Sequence, residues 1–560
     1  MTPAPTPRPS YVAGQPRFED PQAARLQAAG DLEGAWLHVM RGAPASLAGV
    51  KGSFAVALRD ERGRWLAAVD RFATVPLCFR VDGETLHCAA RADALAHAGS
   101  SGEGLDAQAL YDYLYFHSIP SPRTVFSGVQ RLPAGHLAVL DGSALDVRAW
   151  WTPRFDPRPA RFEDLRDEFR TLLAQAVRDR VNAAHPACFL SGGTDSSTVA
   201  GLIAQASERP AQTYSIGFDA QGYDEMAYAR IAARHFGTEH HEYYVSPDDL
   251  VAGIPGVARH YDQPFGNSSA LPAYYCALQA KGDGVERMLA GDGGDELFGG
   301  NSRYAMQRVF GWWRYAPAAL RRTLLEPLLM SAPVRGTPLL RKGAGYVEQA
   351  RTPMPDRLQM YNLLLRLGRR DVLTPAFLAH VDEGAPLRQQ REVWNAPMAD
   401  DELNRTLAFD WRYTLAESDL PKVSMTTQLA GVDVAYPMLD DALVDFSLRL
   451  PVEHKLKGLK LRWFFKEALR GFLPDEILTK KKQGFGLPFG VWALQHEGLR
   501  KLALESLGSL ATRNIVNAGF IRQLVDVRLP EHPRYFGEMV WILMMLEQWL
   551  QARAPRYRIA

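Results

Sequence analysis

The chain reads as an α/β protein: a parallel sheet flanked by helices, extended by further helices toward the C-terminus and preceded by a β-rich antiparallel domain. Three observations carry this. Between Phe162 and Gly300, short apolar runs alternate with helical patterns, as in a parallel sheet covered on both faces. Between Ala35 and Trp151, short apolar runs are separated by turn signals instead. From residue 305 onward, helical periodicity dominates.

In chain order, residues 1–16 are rich in proline and polar residues and are expected to be disordered. A β-rich domain is expected over 17–151. Its strands fall in SFAVALRD, RWLAAVD, PLCFRVDG, TLHCAA and HLAVLDGSALDVRAW, several of them joined by Asp-Gly or Arg-Gly turns. A helix from about Asp106 to Phe116 interrupts them. Residues 152–160, TPRFDPRPA, carry three prolines and read as a linker. A second domain is expected over 161–560. It opens with a helix from Phe162 to Asn182, then the strand ACFL and a helix from Ser197 to Ser207. The strand AQTYSIGF, a helix from Asp224 to Phe236, the strand HHEYYV, a helix from Ser268 to Lys281 and the strand VERMLAG follow.

Composition excludes several classes. With 64 Lys+Arg against 63 Asp+Glu, no global field draws the chain to nucleic acid or an anionic membrane. Cys78, Cys88, Cys188 and Cys276 have no zinc or CxxC spacing and are expected to be small buried apolar residues, as suits a reducing compartment. The N-terminus lacks the apolar core of a secretory signal. The apolar segment Met539 to Leu550 is short for a membrane span and contains Glu547, so a buried helix is expected. These readings predict a cytoplasmic protein with no membrane span and no nucleic-acid partner.

Two loops carry chemistry. In ACFLSGGTDSSTVAGLIAQ, the loop Ser191–Ser197 lies between a strand and a helix. Gly192 and Gly193 let the backbone approach an anion. Ser196 and Ser197 stand where the next helix begins, with unpaired N–H groups and a favourable dipole. The pattern is a phosphate cradle, though neither GxxxxGK[ST] nor GxGxxG. Asp195 inside an anion site requires a cation, and Mg²⁺ bridging it to phosphate oxygens supplies one. The second loop, GDGGDELFGG, holds Asp292, Asp295 and Glu296 among five glycines, including Gly291 and Gly293. Ligands of open α/β sheets sit beyond the carboxyl ends of strands. Asp195 and Asp295 are therefore expected to face one Mg²⁺.

At these residues the chain resembles the asparagine synthetase family. SGGTDSS is similar to the family's SGGxDSS pyrophosphate loop, and GDGGDELFGG to its GxGxDExFGGY segment, with Asn301 replacing the usual tyrosine. DQPFGNSSALPAYY (262–275) resembles the D-x-P…S…P-x-Y stretch. LPKVSMTTQLAGVDVAYPMLDDALVDFSLRLP places Lys422 on the family lysine, with Ser424 in place of an aspartate. LTKKKQGFGLP places Lys482 on the lysine that neutralises phosphate charge. The resemblance implies a C-terminal domain of the adenine-nucleotide α-hydrolase-like, pyrophosphate-loop type and an amidotransferase-like N-terminal domain. It also implies the reaction: a carboxylate attacks the α-phosphate of ATP, and an amine then attacks the acyl-adenylate. Leu190, Ser191, Gly192, Gly193, Asp195, Ser196, Ser197, Gly291, Asp292 and Gly293 would hold ATP and pyrophosphate. Ser215, Ile216 and Gly217 would line the adenine pocket. Asp195 and Asp295 would hold Mg²⁺. Lys482 would stabilise phosphate charge in the transition state. For Lys422 and Glu296, a catalytic role stands beside that of a structural ion pair, and Asp292 is a further catalytic candidate.

Glutamine-dependent members begin, after Met1, with a cysteine; here residue 2 is threonine. The glutamine-binding motifs have no counterpart either, although DRFATVPLCFR and PSPRTVFSGVQRLPAGH match the scaffold. The N-terminal domain thus resembles a truncated class II amidotransferase that kept its sheet and lost its chemistry. Relatives without the cysteine include β-lactam synthetases, which carry a tyrosine where Asp292 stands, and lasso-peptide cyclases. The foremost expectation is a lasso-peptide macrolactam cyclase, partnered by a precursor peptide and a leader-peptide-processing protease. The alternatives are a small-molecule amide synthetase, an ammonia-using asparagine synthetase and a non-catalytic scaffold.

Overall fold

A computed structural model describes residues 10–96, 104–182, 184–220, 222–223, 225–329, 331, 338–480 and 486–560. In the N-terminal domain, a five-stranded antiparallel sheet runs in the order Tyr11–Gly14, Phe54–Arg59, Trp65–Val69, His136–Asp141, Ala144–Ala149. Strand alternation explains how it is buried on both faces. Phe54, Val56 and Leu58 pack against Trp36 and Val39 of the helix Leu32–Arg41. Ala55, Ala57 and Ala67 face Phe79, Leu86 and Cys88 of a second sheet, built from Thr85–Ala89, Cys78–Asp82 and Gln130–Arg131. The alanine face lets that sheet approach closely.

This domain departs from expectation in two places. Tyr11–Gly14, within the segment expected to be disordered, is an edge strand paired residue for residue with Phe54–Arg59. The helices Pro21–Ala28 and Leu32–Arg41 precede the β-rich stretch; Asp20 and Asp31 cap them through their side chains. The helix Ala107–Phe116 lies where expected, capped by Asp106. The four cysteines are all free and buried.

The C-terminal domain holds a five-stranded sheet, every pairing parallel, in the order Glu239–Val245, Gln212–Phe218, Ala187–Phe189, Arg287–Leu289, Asp433–Ala435. The chain runs outward from Ala187–Phe189 through two strands. It then returns to that strand's other edge. The order therefore reverses between Ala187–Phe189 and Arg287–Leu289, and a crevice opens there at the carboxyl ends of the strands. Both signature loops leave the sheet at this point.

Helices pack on the sheet with the apolar sides of Phe162–Arg178 and Thr194–Ala206 inward. The latter begins at Thr194, three residues before expectation, so Asp195, Ser196 and Ser197 form its first turn. The helix Pro247–His260 and the strand Asp433–Ala435 lie outside the elements expected from sequence. The late apolar segment is the buried helix Pro533–Arg553, in which Glu547 pairs with Arg513 at 2.6 Å. Among the described residues, no helix is long and apolar enough to cross a membrane.

The proline-rich connection between the domains is pinned to the C-terminal domain. Phe155 N–H donates to the Met398 carbonyl at 2.9 Å, and Asp156 N–H to that of Leu448 at 3.1 Å. The Phe155 ring lies 4.7 Å from Nζ of the fully buried Lys455, which donates to Asn404 Oδ1 at 2.9 Å. Burial pulls the Lys455 ammonium down to about 7, against an opposing pull from Asp401. The unfolded lysine holds its proton to about 10.5. Between these values the unfolded chain binds the extra proton, so this group makes stability rise with pH; below about 7 the full cost of burying the charge is felt. Lys455→Met is expected to remove that rise. Thermal unfolding midpoints from pH 6 to 10 check this, and an unchanged pH slope in the variant would contradict it.

Candidate active site

The crevice is lined by the loop Leu190–Gly193 on one side and the loop Ala290–Gly293 on the other. Leu190 extends its strand, donating N–H to the Tyr214 carbonyl at 2.9 Å. Gly192 is left-handed (φ +67°), and a Cβ there would lie 2.5 Å from the backbone nitrogen of Ala229. Gly193 caps the helix Thr194–Ala206 with extended backbone, and no side chain takes up the cap position. Ser191 Oγ and Ser196 Oγ lie 3.1 Å apart. Ser197 is fully buried, and its Oγ has no hydrogen-bond partner. The free N–H groups of the first helical turn, with two hydroxyls beside them, form an anion cradle.

The second loop packs directly on the first. A Cβ on Gly291 would meet Ser196 N at 2.9 Å, and one on Gly294 would overlap Asp195 Oδ1. The short helix Gly294–Phe298 brings Asp295 beside Asp195. The two aspartates meet on the guanidinium of Arg462. Arg462 Nη1 donates to Asp195 Oδ2 at 2.6 Å, Asp295 Oδ1 at 2.9 Å and Thr194 Oγ1 at 2.8 Å, and Nη2 donates to Asp195 Oδ1. Arg462 is 4% exposed, has left-handed backbone (φ +54°) and lies over the Phe465 ring at 3.9 Å. No local motif in the sequence singles it out.

Two carboxylates against one guanidinium leave a net negative charge, on side chains still 19% exposed. Among the described residues no group of three or more His, Cys, Asp and Glu forms a metal cage. The donor set nonetheless fits Mg²⁺, which takes one or two carboxylates and completes its shell with phosphate oxygens and water.

A second cluster lies behind Asp292. Lys422 Nζ donates to Asp419 Oδ1 at 2.9 Å and lies 3.7 Å from Asp292 Oδ1. Burial alone would lower the Lys422 ammonium, but Asp419 and Asp292 raise it, so it stays charged. Burial pushes the Asp292 carboxyl up to about 6, with Lys422 opposing. Burial, then Asp419 and Asp410, push Glu296 up to about 8. Asp419, at the end of a π-helical stretch Trp411–Asp419, joins these sequence candidates.

On the nucleotide side, Ser215 Oγ donates to the Leu190 carbonyl, so Ser215 is spent on joining strands. Ile216 and Gly217 continue that strand, Gly217 lying against the Tyr244 ring. Gly293 (φ +100°) caps the helix carrying Asp295. Asn301, at the position of the expected tyrosine, caps the helix Ser302–Gly311. Lys482 lies outside the described residues. Lys480 Nζ reaches the Gly192 carbonyl at 3.4 Å while paired with Glu225 at 3.2 Å.

A family profile described as "Asparagine synthase" matches residues 168–551, and one described as "Glutamine amidotransferase domain" matches residues 20–151. The chain is 24% identical over 511 residues to asparagine synthetase [glutamine-hydrolyzing] 1 of Bacillus subtilis, covering 89% of this chain and 77% of that protein. It is 27% identical over 524 residues to a putative asparagine synthetase [glutamine-hydrolyzing] of Mycobacterium tuberculosis, covering 89% and 76%. It is 23% identical over 513 residues to amidase chry2 of Gibberella zeae, covering 84% and 74%.

Removing the shared cation should expose the charge balance directly. Arg462→Met leaves two adjacent, largely buried carboxylates without their partner, at a cost on the order of 3 kcal/mol. The thermal midpoint should fall, and millimolar Mg²⁺ should restore part of the loss. A midpoint unchanged in metal-free buffer would contradict the arrangement.

Proposed function

We propose, from the premise that the chain belongs to the asparagine synthase family of ATP-dependent carbon–nitrogen ligases, that it joins a carboxylate to an amine carried by the same substrate. A precursor peptide closed into a macrolactam, as by a lasso-peptide cyclase, is the substrate class. The observation that carries this reading is that the amidotransferase-like domain has no counterpart of the family's glutamine-binding motifs, which favours an amine that arrives with the substrate. A cavity of about 60 Å³ lies between the domains, lined mainly by apolar side chains such as Leu132, Phe265, Leu420 and Met425, with Arg131 and Glu417 among its polar groups. Glu417 is paired in its wall with Arg131 and with Arg412. Asp292, where β-lactam synthetases carry tyrosine, argues against that ring-closing class.

On this reading, the substrate carboxylate attacks the α-phosphorus of ATP, the bond to the β-phosphate bridging oxygen breaks, and pyrophosphate leaves. The Ser191–Ser197 cradle receives the pyrophosphate through backbone N–H groups. Asp195 and Asp295 would hold Mg²⁺, which supplies charge neutralisation for the phosphates. Arg462 holds both carboxylates in place, and Lys482, which lies outside the described residues, would on the family resemblance neutralise phosphate charge. In the second step the amine nitrogen bonds to the acyl carbon and AMP departs. Asp292 accepts the proton the nitrogen loses, and Lys422 offsets negative charge developing on the acyl oxygen. Holding both reacting ends in one site supplies much of the rate.

An ammonia-dependent asparagine synthetase is the second reading, favoured by the names of the relatives and the breadth of the match. One assay separates the two. The chain is incubated with Mg²⁺ and ATP, either with aspartate and ammonia or with candidate precursor peptides, and products are read by mass. A peptide lighter by one water, with AMP released, is the expected result; asparagine without peptide turnover would favour the second reading. Asp195→Ala and Asp295→Ala should each abolish ATP–pyrophosphate exchange. Lys482→Ala should slow it by roughly 100-fold while the fold persists. Exchange surviving in both aspartate variants would overturn the metal assignment.

A further inference from the structure

We infer that the amidotransferase-like domain braces the acyl-transfer half of the site, with Glu417 and Trp411 as the positioning residues through which it acts. The inference rests on the acyl-adenylate reading above. One long helical run carries the parts: Glu402–Asp410, the π-helical Trp411–Asp419, and Leu420–Ala430. The N-terminal domain grips its π-helical middle twice.

The first grip is electrostatic. Glu417 is 4% exposed. Its carboxylate accepts from Ser121 Oγ at 2.6 Å, from Ser121 N–H at 3.2 Å and from Arg131, all in the N-terminal domain; Arg412 of its own helix lies at 3.1 Å. A buried carboxylate is tolerated only with such partners, so this turn of helix keeps its place because the other domain supplies most of them. Two residues on, Asp419 holds Lys422.

The second grip is aromatic. The Trp411 ring stacks on Trp151 at 6.1 Å and meets Phe72 edge-on at 5.7 Å, both from the N-terminal side. Its indole N–H donates to the Glu296 carbonyl at 2.9 Å, in the helix that follows Asp292. Both members of the Asp292–Lys422 pair are thus tied to the neighbouring domain. The pyrophosphate side is held differently: Arg462 and Lys480, which bond it, belong to the C-terminal domain itself.

The two half-reactions should therefore respond differently. Glu417→Gln is expected to lower the rate of amide formation by roughly 10- to 100-fold, as a misplacement of about 1 Å can. ATP–pyrophosphate exchange and KM for ATP should stay within about threefold. Ser121→Ala, a milder change on the partner domain, should give the same split to a smaller degree, and it stands as the test if Glu417→Gln fails to fold. Glu417→Asp, which keeps the charge, should recover part of the amide-forming rate. Equal losses in both half-reactions, or no loss in either, would overturn the brace. A native chain without any exchange would instead overturn the adenylate reading and the brace with it.

Discussion

Charge balance at the carboxyl edge of the parallel sheet governs this molecule. Asp195 and Asp295 come from two loops on adjacent strands, and they are held together by one guanidinium. Without a cation, two carboxylates at that separation in a partly dry crevice would repel strongly. With one, the loops interlock so closely that Gly291 and Gly294 have no room for a side chain. The strand order makes the meeting unavoidable, because the reversal falls between the strands that carry these loops. The remaining negative charge is what a metal–phosphate ligand would neutralise on the proposed reading.

On the proposed reading, the site divides into two halves with different architectures. The phosphate half is local: a strand, a glycine turn and the first turn of a helix, with cations reaching in from nearby elements of the same domain. The acyl half is assembled over long chain distances. Asp292 comes from a sheet loop, Lys422 and Asp419 from a helix, and supporting contacts from residues 72, 121, 131 and 151 of the N-terminal domain. Such a division lets the nucleotide chemistry stay constant while the acceptor side changes.

The same division explains what was legible in the sequence. The phosphate cradle is contiguous, and its glycines, serines and aspartate are required by local geometry, so it could be read directly. The antiparallel strands were legible because their short apolar runs are bounded by turn signals such as Asp-Gly and Arg-Gly. Arg462 was not, because nothing in its neighbourhood distinguishes one arginine from another; only the fold brings it to the aspartates. Asp433–Ala435 was missed because three residues carry no periodicity. Pro247–His260 had a readable start in Ser246 and Asp249, which form a capping box, but its internal Pro255 blurred the pattern. Tyr11–Gly14 sits between proline-rich stretches and gains its order from its partner strand. Lys482 lies outside the described residues.

The π-helical stretch Trp411–Asp419 has a consequence for helical phase. Each residue added to an α-helix advances its face by about 100°. A π-helix spends more residues per turn, so the segment after it is rotated relative to an uninterrupted helix. Here that rotation lets Trp411 and Glu417 face the neighbouring domain while Lys422 faces Asp292. The length of this segment is therefore as constrained as its composition. Deleting a single residue such as Tyr413 would remove no contact named above, yet it would turn one end of the helix away from its partners. Substitution scanning is blind to that kind of constraint, whereas natural insertions and deletions should avoid these nine residues.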